Sequence, residues 1–185
     1  MKLHEKITDR LREFVLAQPV FFVGTAPTSA EGHVNISPKG MSGTFTVLDE
    51  HRVAYLDYTA SGAETIAHVR QNGRIVLMFC SFGEKPNIVR LHGRGRVVLP
   101  NDPEFPDLQG RFMIDPGKGV RAIIDVQVER VSDSCGFAVP RMDYVGDRDV
   151  LRRSFERRSE KQLRQYRTDH NARSIDGIPA VPVTE

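Results

Sequence analysis

The chain has 185 residues, 39% of them hydrophobic, a length and apolar content that suit one domain with a real core. Its 26 basic and 24 acidic residues leave a formal net charge of only +2, without the clustered basic face of a nucleic-acid binder. No apolar run approaches the ~20 residues of a membrane-spanning helix, and the charged opening MKLHEKITDRLREF is unlike a secretory signal, so the cytoplasm is the expected compartment.

The first element reads as a helix from Lys2 to Ala17, with Leu3, Ile7, Leu11, Phe14 and Val15 on one face and charges opposite. Gln18-Pro19 ends it, because a residue before proline is pushed out of the helical region. VFFVGTA and HVNIS are β-rich runs separated by the turn cluster PTSAEG. In the second run Val34 and Ile36 face one side and Asn35 and Ser37 the other; Pro38 is expected to stop the ladder, leaving Lys39 at the strand end. GTFTVL and RVAYLDYT follow, with Tyr55, Asp57 and Thr59 on one face and Leu56 and Tyr58 on the other.

That strand runs into SGAETIAHVRQNG. Ser61 and Glu64 have the spacing of a capping box, Ala63, Ile66 and Val69 recur at helical spacing, and Gly73 is placed to close the helix in a left-handed conformation. A helix start offers free amides and partial positive charge, a seat for phosphate. RIVLMFCSF reads as a buried strand. In NIVRLHGRGRVVLP, Val89, Leu91, Gly93 and Gly95 share one face and Arg90, His92, Arg94 and Arg96 the other, the glycines admitting close backbone approach. PNDPEFPDLQGRF is a short helix or loop, and RAIIDVQVERVSDS a last long strand with one buried and one wet face.

Beyond Ser134 a charged helix is expected from about Asp149 to Tyr166, its arginines interleaved with acids as in a solvated helix, and then a turn-rich tail from Asn171 to Glu185. Cys80 and Cys135 form no C-x-x-C pair and read as reduced, buried thiols; the six histidines lack metal-site spacing, so no metal is expected.

The segments VFFVGTA, GHVNISPKG, VAYLDYTASGAETIAHVRQNGRIVLMF and IVRLHGRGRVV, in that order over roughly residues 18–132, resemble the flavin-binding split barrels of the pyridoxamine 5'-phosphate oxidase-like superfamily. SCGFAVP and NARSIDGIP resemble one branch of that group. The resemblance implies a mainly β (β+α) fold, a six- to seven-stranded antiparallel split β-barrel with flanking helices. Residues 1–134 would form the barrel with its N-terminal helix, and 135–185 a helical extension and tail packed on the same domain.

The same resemblance implies FMN as cofactor, with deazaflavin or haem as alternatives, and a homodimer with the cofactor at the interface. It assigns cofactor contacts to Asn35, Ser37, Lys39, Asp57, Tyr58, Thr59, Ser61, Glu64 and Thr65. Related oxidases carry Ser-Arg-Lys where this chain has Ala63, Glu64 and Thr65, and a glutamate repels phosphate. Lys39, helix amides and an arginine, Arg90 first and Arg74 second, would then have to meet the phosphate charge. The tail lacks the Arg-x-His motif of true pyridoxamine 5'-phosphate oxidases and the chain has no tryptophan, so that activity is not expected. The expected function is FMN-dependent oxidoreduction of a small molecule; the alternatives are flavin, deazaflavin or haem binding without turnover, and a barrel without cofactor.

Overall fold

The computed structural model of the chain describes residues 1–182; the end of the expected tail, residues 183–185, lies outside the described residues. The elements in chain order are β1 (Lys2–His4), α1 (Asp9–Leu16), β2 (Phe21–Thr25), β3 (Asn35–Lys39), β4 (Phe45–Asp49), β5 (Arg52–Tyr58), α2 (Glu64–Asn72), β6 (Arg74–Cys80), β7 (Ile88–Val98), α3 (Phe105–Gln109), β8 (Val120–Ser134), α4 (Val150–Glu156) and α5 (Glu160–His170).

All pairings are antiparallel, in the order β3-β2-β6-β7-β8-β5-β4, with β1 added alongside β8. The eight strands curl into a split β-barrel. Its inner face carries Phe21, Val23, Tyr55, Leu77, Phe79 and Ile124, closed at the ends by Leu11 and Val15 of α1 and by Ile66 and Val69 of α2. The outer face of β5 and β8, with Ala54, Leu56 and Ile123, packs instead on Phe105 and Leu108 of α3, Phe155 of α4 and Leu163 of α5.

Alternation set most of this. The two faces of β5 separate as expected, Tyr55 inside and Leu56 and Tyr58 outside. Gly95 of β7 lets α2 approach, since a Cβ there would stand 3.3 Å from both methyls of Val69.

The expected N-terminal helix is shorter. Lys2–His4 pair with Val131–Asp133 of β8, and Thr8 caps α1, its hydroxyl accepting the Leu11 amide at 3.4 Å. Leu3, taken for the apolar face, is instead exposed. β3 also runs through Pro38 to Lys39, because it is an edge strand and a missing N–H on its open side removes no ladder bond. β8 is not wet on one face over Ala122–Val126: α3 to α5 cover the side carrying Ile123, and Asp125 is buried between Arg52 and Arg96, at 2.8 Å and 2.7 Å. The expected single helix near 149–166 is two, broken at Arg157–Ser159, where Ser159 and Gln162 form a capping box with reciprocal bonds of 3.2 Å and 2.8 Å. Cys80 is buried as expected, whereas Cys135 is exposed.

Candidate functional site

The ends of β3 and β5 meet around a buried carboxylate. Asp57, 1% exposed, accepts from Lys39 Nζ at 2.8 Å and from Arg121 Nε at 2.7 Å. Burial pushes its carboxyl up, but the charges of Arg121 and then Lys39 outweigh that and hold its pKa at about 2. Arg121 is aimed here by a bulge: Asp57 pairs with Ala122 and Tyr58 with Val120, so Arg121 is the extra residue and points inward. Its Nη2 also donates to the Gly62 carbonyl at 2.7 Å, pinning the loop that leads into α2.

A second polar chain ties β3 to α2. Ser37 Oγ donates to Asn35 Oδ1 at 3.1 Å, and Asn35 Nδ2 donates to Thr65 Oγ1 at 3.1 Å and Thr25 Oγ1 at 3.3 Å. Thr25 Oγ1 lies 3.0 Å from Nδ1 of the fully buried His68, whose pKa burial lowers.

The helix start differs from expectation. Ser61 lies outside α2, Ala63 is the N-cap without a side-chain bond, and Glu64 is the first helical residue, so the Ser61–Glu64 box does not form. Glu64 Oε1 instead accepts the Ile175 amide at 3.3 Å, and Asp176 holds His33 at 2.7 Å. The C-terminal segment therefore straps the start of α2. Asn171 Nδ2 donates to Ala60 O at 2.8 Å and Arg167 Nε to Thr59 Oγ1 at 2.8 Å, extending the strap. The C-terminal end of α2 is as expected, with Gly73 at φ 70°.

Outside this network a cleft of about 650 Å³ is walled by Pro38, Lys39, Met41, Leu56, Tyr58 and Tyr144, with Arg148 and Asp147 at its edge. Tyr58 stacks on Phe155 with ring centroids 5.8 Å apart and donates to Pro116 O at 3.0 Å. The structure thus brings Lys39 and Tyr58 to the cleft, sets Asp57 and Thr59 behind it, and stitches Asn35, Ser37 and Thr65 together between β3 and α2.

Arg90 is not brought to this place within the chain. Lys39, Phe21, Phe79 and Val89 follow one another across β3, β2, β6 and β7 on the inner face, while Arg90 points outward and donates to Ser134 Oγ at 3.3 Å. Sequence reasoning missed Arg121, Arg167, Asn171 and His68. Strand alternation puts Arg121 on the outer face, and only the bulge reverses it. The Ser159–Gln162 spacing was a visible signal for the start of α5, the helix that carries Arg167.

The fold and cleft define a split β-barrel of the pyridoxamine 5'-phosphate oxidase-like type. The chain belongs to the pyridoxamine 5'-phosphate oxidase family: the family's sequence model matches residues 7–135. It is 38% identical over 192 residues to the pyridoxamine 5'-phosphate oxidase family protein ustO of Aspergillus flavus, spanning 96% of this chain and 77% of that protein. Among solved structures it is similar in fold to HupZ of Group A Streptococcus, with TM-score 0.52 and 21% identity over 74% of this chain and 99% of that one. It is also similar to an FMN-binding protein from Syntrophomonas wolfei, with TM-score 0.50 and 14% identity over 66% and 82% of the two chains. No helix among the described residues is long and apolar enough to cross a membrane.

Proposed function

We propose that the protein is an FMN-binding oxidoreductase that acts on a small molecule at the Lys39 cleft. The observation that carries this reading is the cleft itself. Its volume falls within the roughly 300–1,000 Å³ of ligand pockets, and largely apolar walls surround one lysine held in place by a buried carboxylate. The residues fit a flavin in kind. Pro38, Met41, Leu56 and Tyr58 offer apolar surface, and Lys39 and Arg148 offer positive charge. Glu64, the residue that sat worst with a phosphate, is engaged by the Ile175 amide. A bound flavin would supply the hydride and electron transfer, and the chain's own groups bind, orient and exclude water.

Lys39 lines the cleft, its ammonium is anchored by Asp57, and Asp57 is itself steadied by Arg121. Asp57, ionised down to about pH 2, holds Lys39 and Arg121 rather than donating a proton. The S. wolfei neighbour's description as FMN-binding agrees with the reading. A homodimer belongs to it as well: edge strand β3 exposes Ile36, and Val34 just before the strand is exposed too, at 70% and 71%, beside the open side of the sheet.

The test is an absorption spectrum of the purified protein mixed with FMN and desalted, together with light scattering. Retained flavin near one per chain and a dimer are expected; desalted protein without flavin bands would reject FMN. Lys39→Ala should weaken FMN binding by about 1.5–3 kcal/mol, the range for a charge-assisted bond. Arg90→Ala should leave it unchanged if the site is built within one chain. Reduction of the bound flavin by a nicotinamide donor, with reoxidation by a second acceptor, separates turnover from storage.

A further inference from the structure

A second cleft, of about 280 Å³, opens where the C-terminal segment crosses the end of β7 and the start of β8. Leu99, Pro100 and Val181 give it apolar walls, and Arg121, Arg164 and Arg167 give it charge. None of these lines the Lys39 cleft.

Arg164 is exposed, but Arg121 and Arg167 are not arranged as solvated surface charges. The Arg121 side chain is 4% exposed and bridges Asp57 and the Gly62 carbonyl. Its remaining nitrogen, Nη1, is closed off from water and has no hydrogen-bond partner among the described residues. A buried guanidinium N–H without a partner is costly, and such a group points to one that is missing. Arg167 is half-buried and donates to Thr59 Oγ1 at 2.8 Å and Val120 O at 3.4 Å, neither of which carries charge. Among the described residues neither Arg164 nor Arg167 makes an ion pair. Burial pulls the pKa of Arg167 down, and the nearby Arg121 and Arg164 charges add to this against the opposing pull of Glu160.

Charge counting narrows the ligand. Among the described residues Glu160 is the only carboxylate in the wall, and Asp57 is shared between Lys39 and Arg121. Among the described residues, four cations against these two carboxylates leave two positive charges. Guanidinium forks match the oxygens of phosphate. The apolar walls suit a small organic body attached to it.

We propose that this cleft binds the dianionic phosphate of a small phosphate monoester, gripped by Arg164 and Arg167 over the buried Arg121, with the ester's body against Leu99, Pro100 and Val181. The site is separate from the Lys39 cleft and does not depend on flavin binding there.

Calorimetric titration of the full chain with phenyl phosphate and with inorganic phosphate, in a phosphate-free buffer at fixed ionic strength, tests it. One phenyl phosphate per chain is expected, bound more tightly than inorganic phosphate. Arg164→Gln, which removes no hydrogen bond donated by that side chain to the described residues, should weaken binding at least threefold. The double variant Arg164→Gln/Arg167→Gln, checked for folding by circular dichroism, should weaken it at least tenfold. The proposal is overturned by the absence of saturable heat with both probes, or by equal affinity in the wild type and a folded double variant. Failure of FMN to bind would count against the flavin reading alone, since the phosphate titration stands without it.

Discussion

Asp57→Ala should destabilise the protein by about 3–5 kcal/mol, the range for breaking a buried ion pair by removing one partner. The substitution strips Arg121, 4% exposed, of its only counter-charge among the described residues, while Lys39, at 23%, can turn toward solvent. Lys39→Ala should therefore cost far less, because Asp57 would keep Arg121. The same carboxylate sets a pH dependence. Its folded pKa of about 2 lies below the ordinary 3.8, so its contribution is complete above 3.8 and disappears as the pH falls through 2. The size is about 2 kcal/mol, from a little under two pKa units at 1.36 kcal/mol each. Other lowered carboxyls, Asp133 and Asp147 among them, contribute to acid unfolding too. The comparison is thus between wild type and Asp57→Asn in urea melts from pH 6 to pH 2. The variant's stability should fall less steeply over the acid range, and parallel curves would refute the assignment.

Phe79→Ala should cost a similar 3–5 kcal/mol by opening a cavity at the centre of the barrel. Phe79 is fully buried and stacks on Phe21 at 5.3 Å, with Phe45 at 4.9 Å. Phe21 meets Tyr55 edge-on at 5.5 Å, and the Lys39 ammonium stands 5.9 Å above the Tyr55 ring. The four rings are the floor beneath the lysine. Phe79→Leu, which leaves most of the volume filled, should cost about half as much or less. Denaturant midpoints would measure both, and a loss under 1 kcal/mol for the alanine variant would mean that the rings collapse into the space.

The barrel was legible in the sequence because its signals are local. Alternation in VFFVGTA, RVAYLDYT and IVRLHGRGRVV fixed which side chains turn inward, and Gly73 marked the end of α2. The site was legible only where it follows the same rule, as with Asp57 and Lys39. Arg121 was hidden by one inserted residue, which no pattern of period two reveals. Ser61 and Glu64 had the right spacing for a cap, but a distant amide, that of Ile175, competes for the carboxylate, and contacts across 111 residues leave no local trace. Arg90 was a reasonable arginine on the wrong face.

β8 changes parity twice along its fifteen residues. Even-numbered side chains turn inward from Ala122 to Val128, but Arg121 before them and Val131 after them are odd-numbered and also turn inward, because Arg121 and Glu129 are each one residue more than the neighbouring strand matches. The strand therefore has two joints at which its length can change by one without disturbing its neighbours' packing. A deletion at either joint would shift only the flanking residues, whereas one between them would turn Ile124 and Val126 inside out. Close relatives that differ in length along this strand should differ at those joints, and a relative lacking the first would keep the barrel yet have no arginine at its heart.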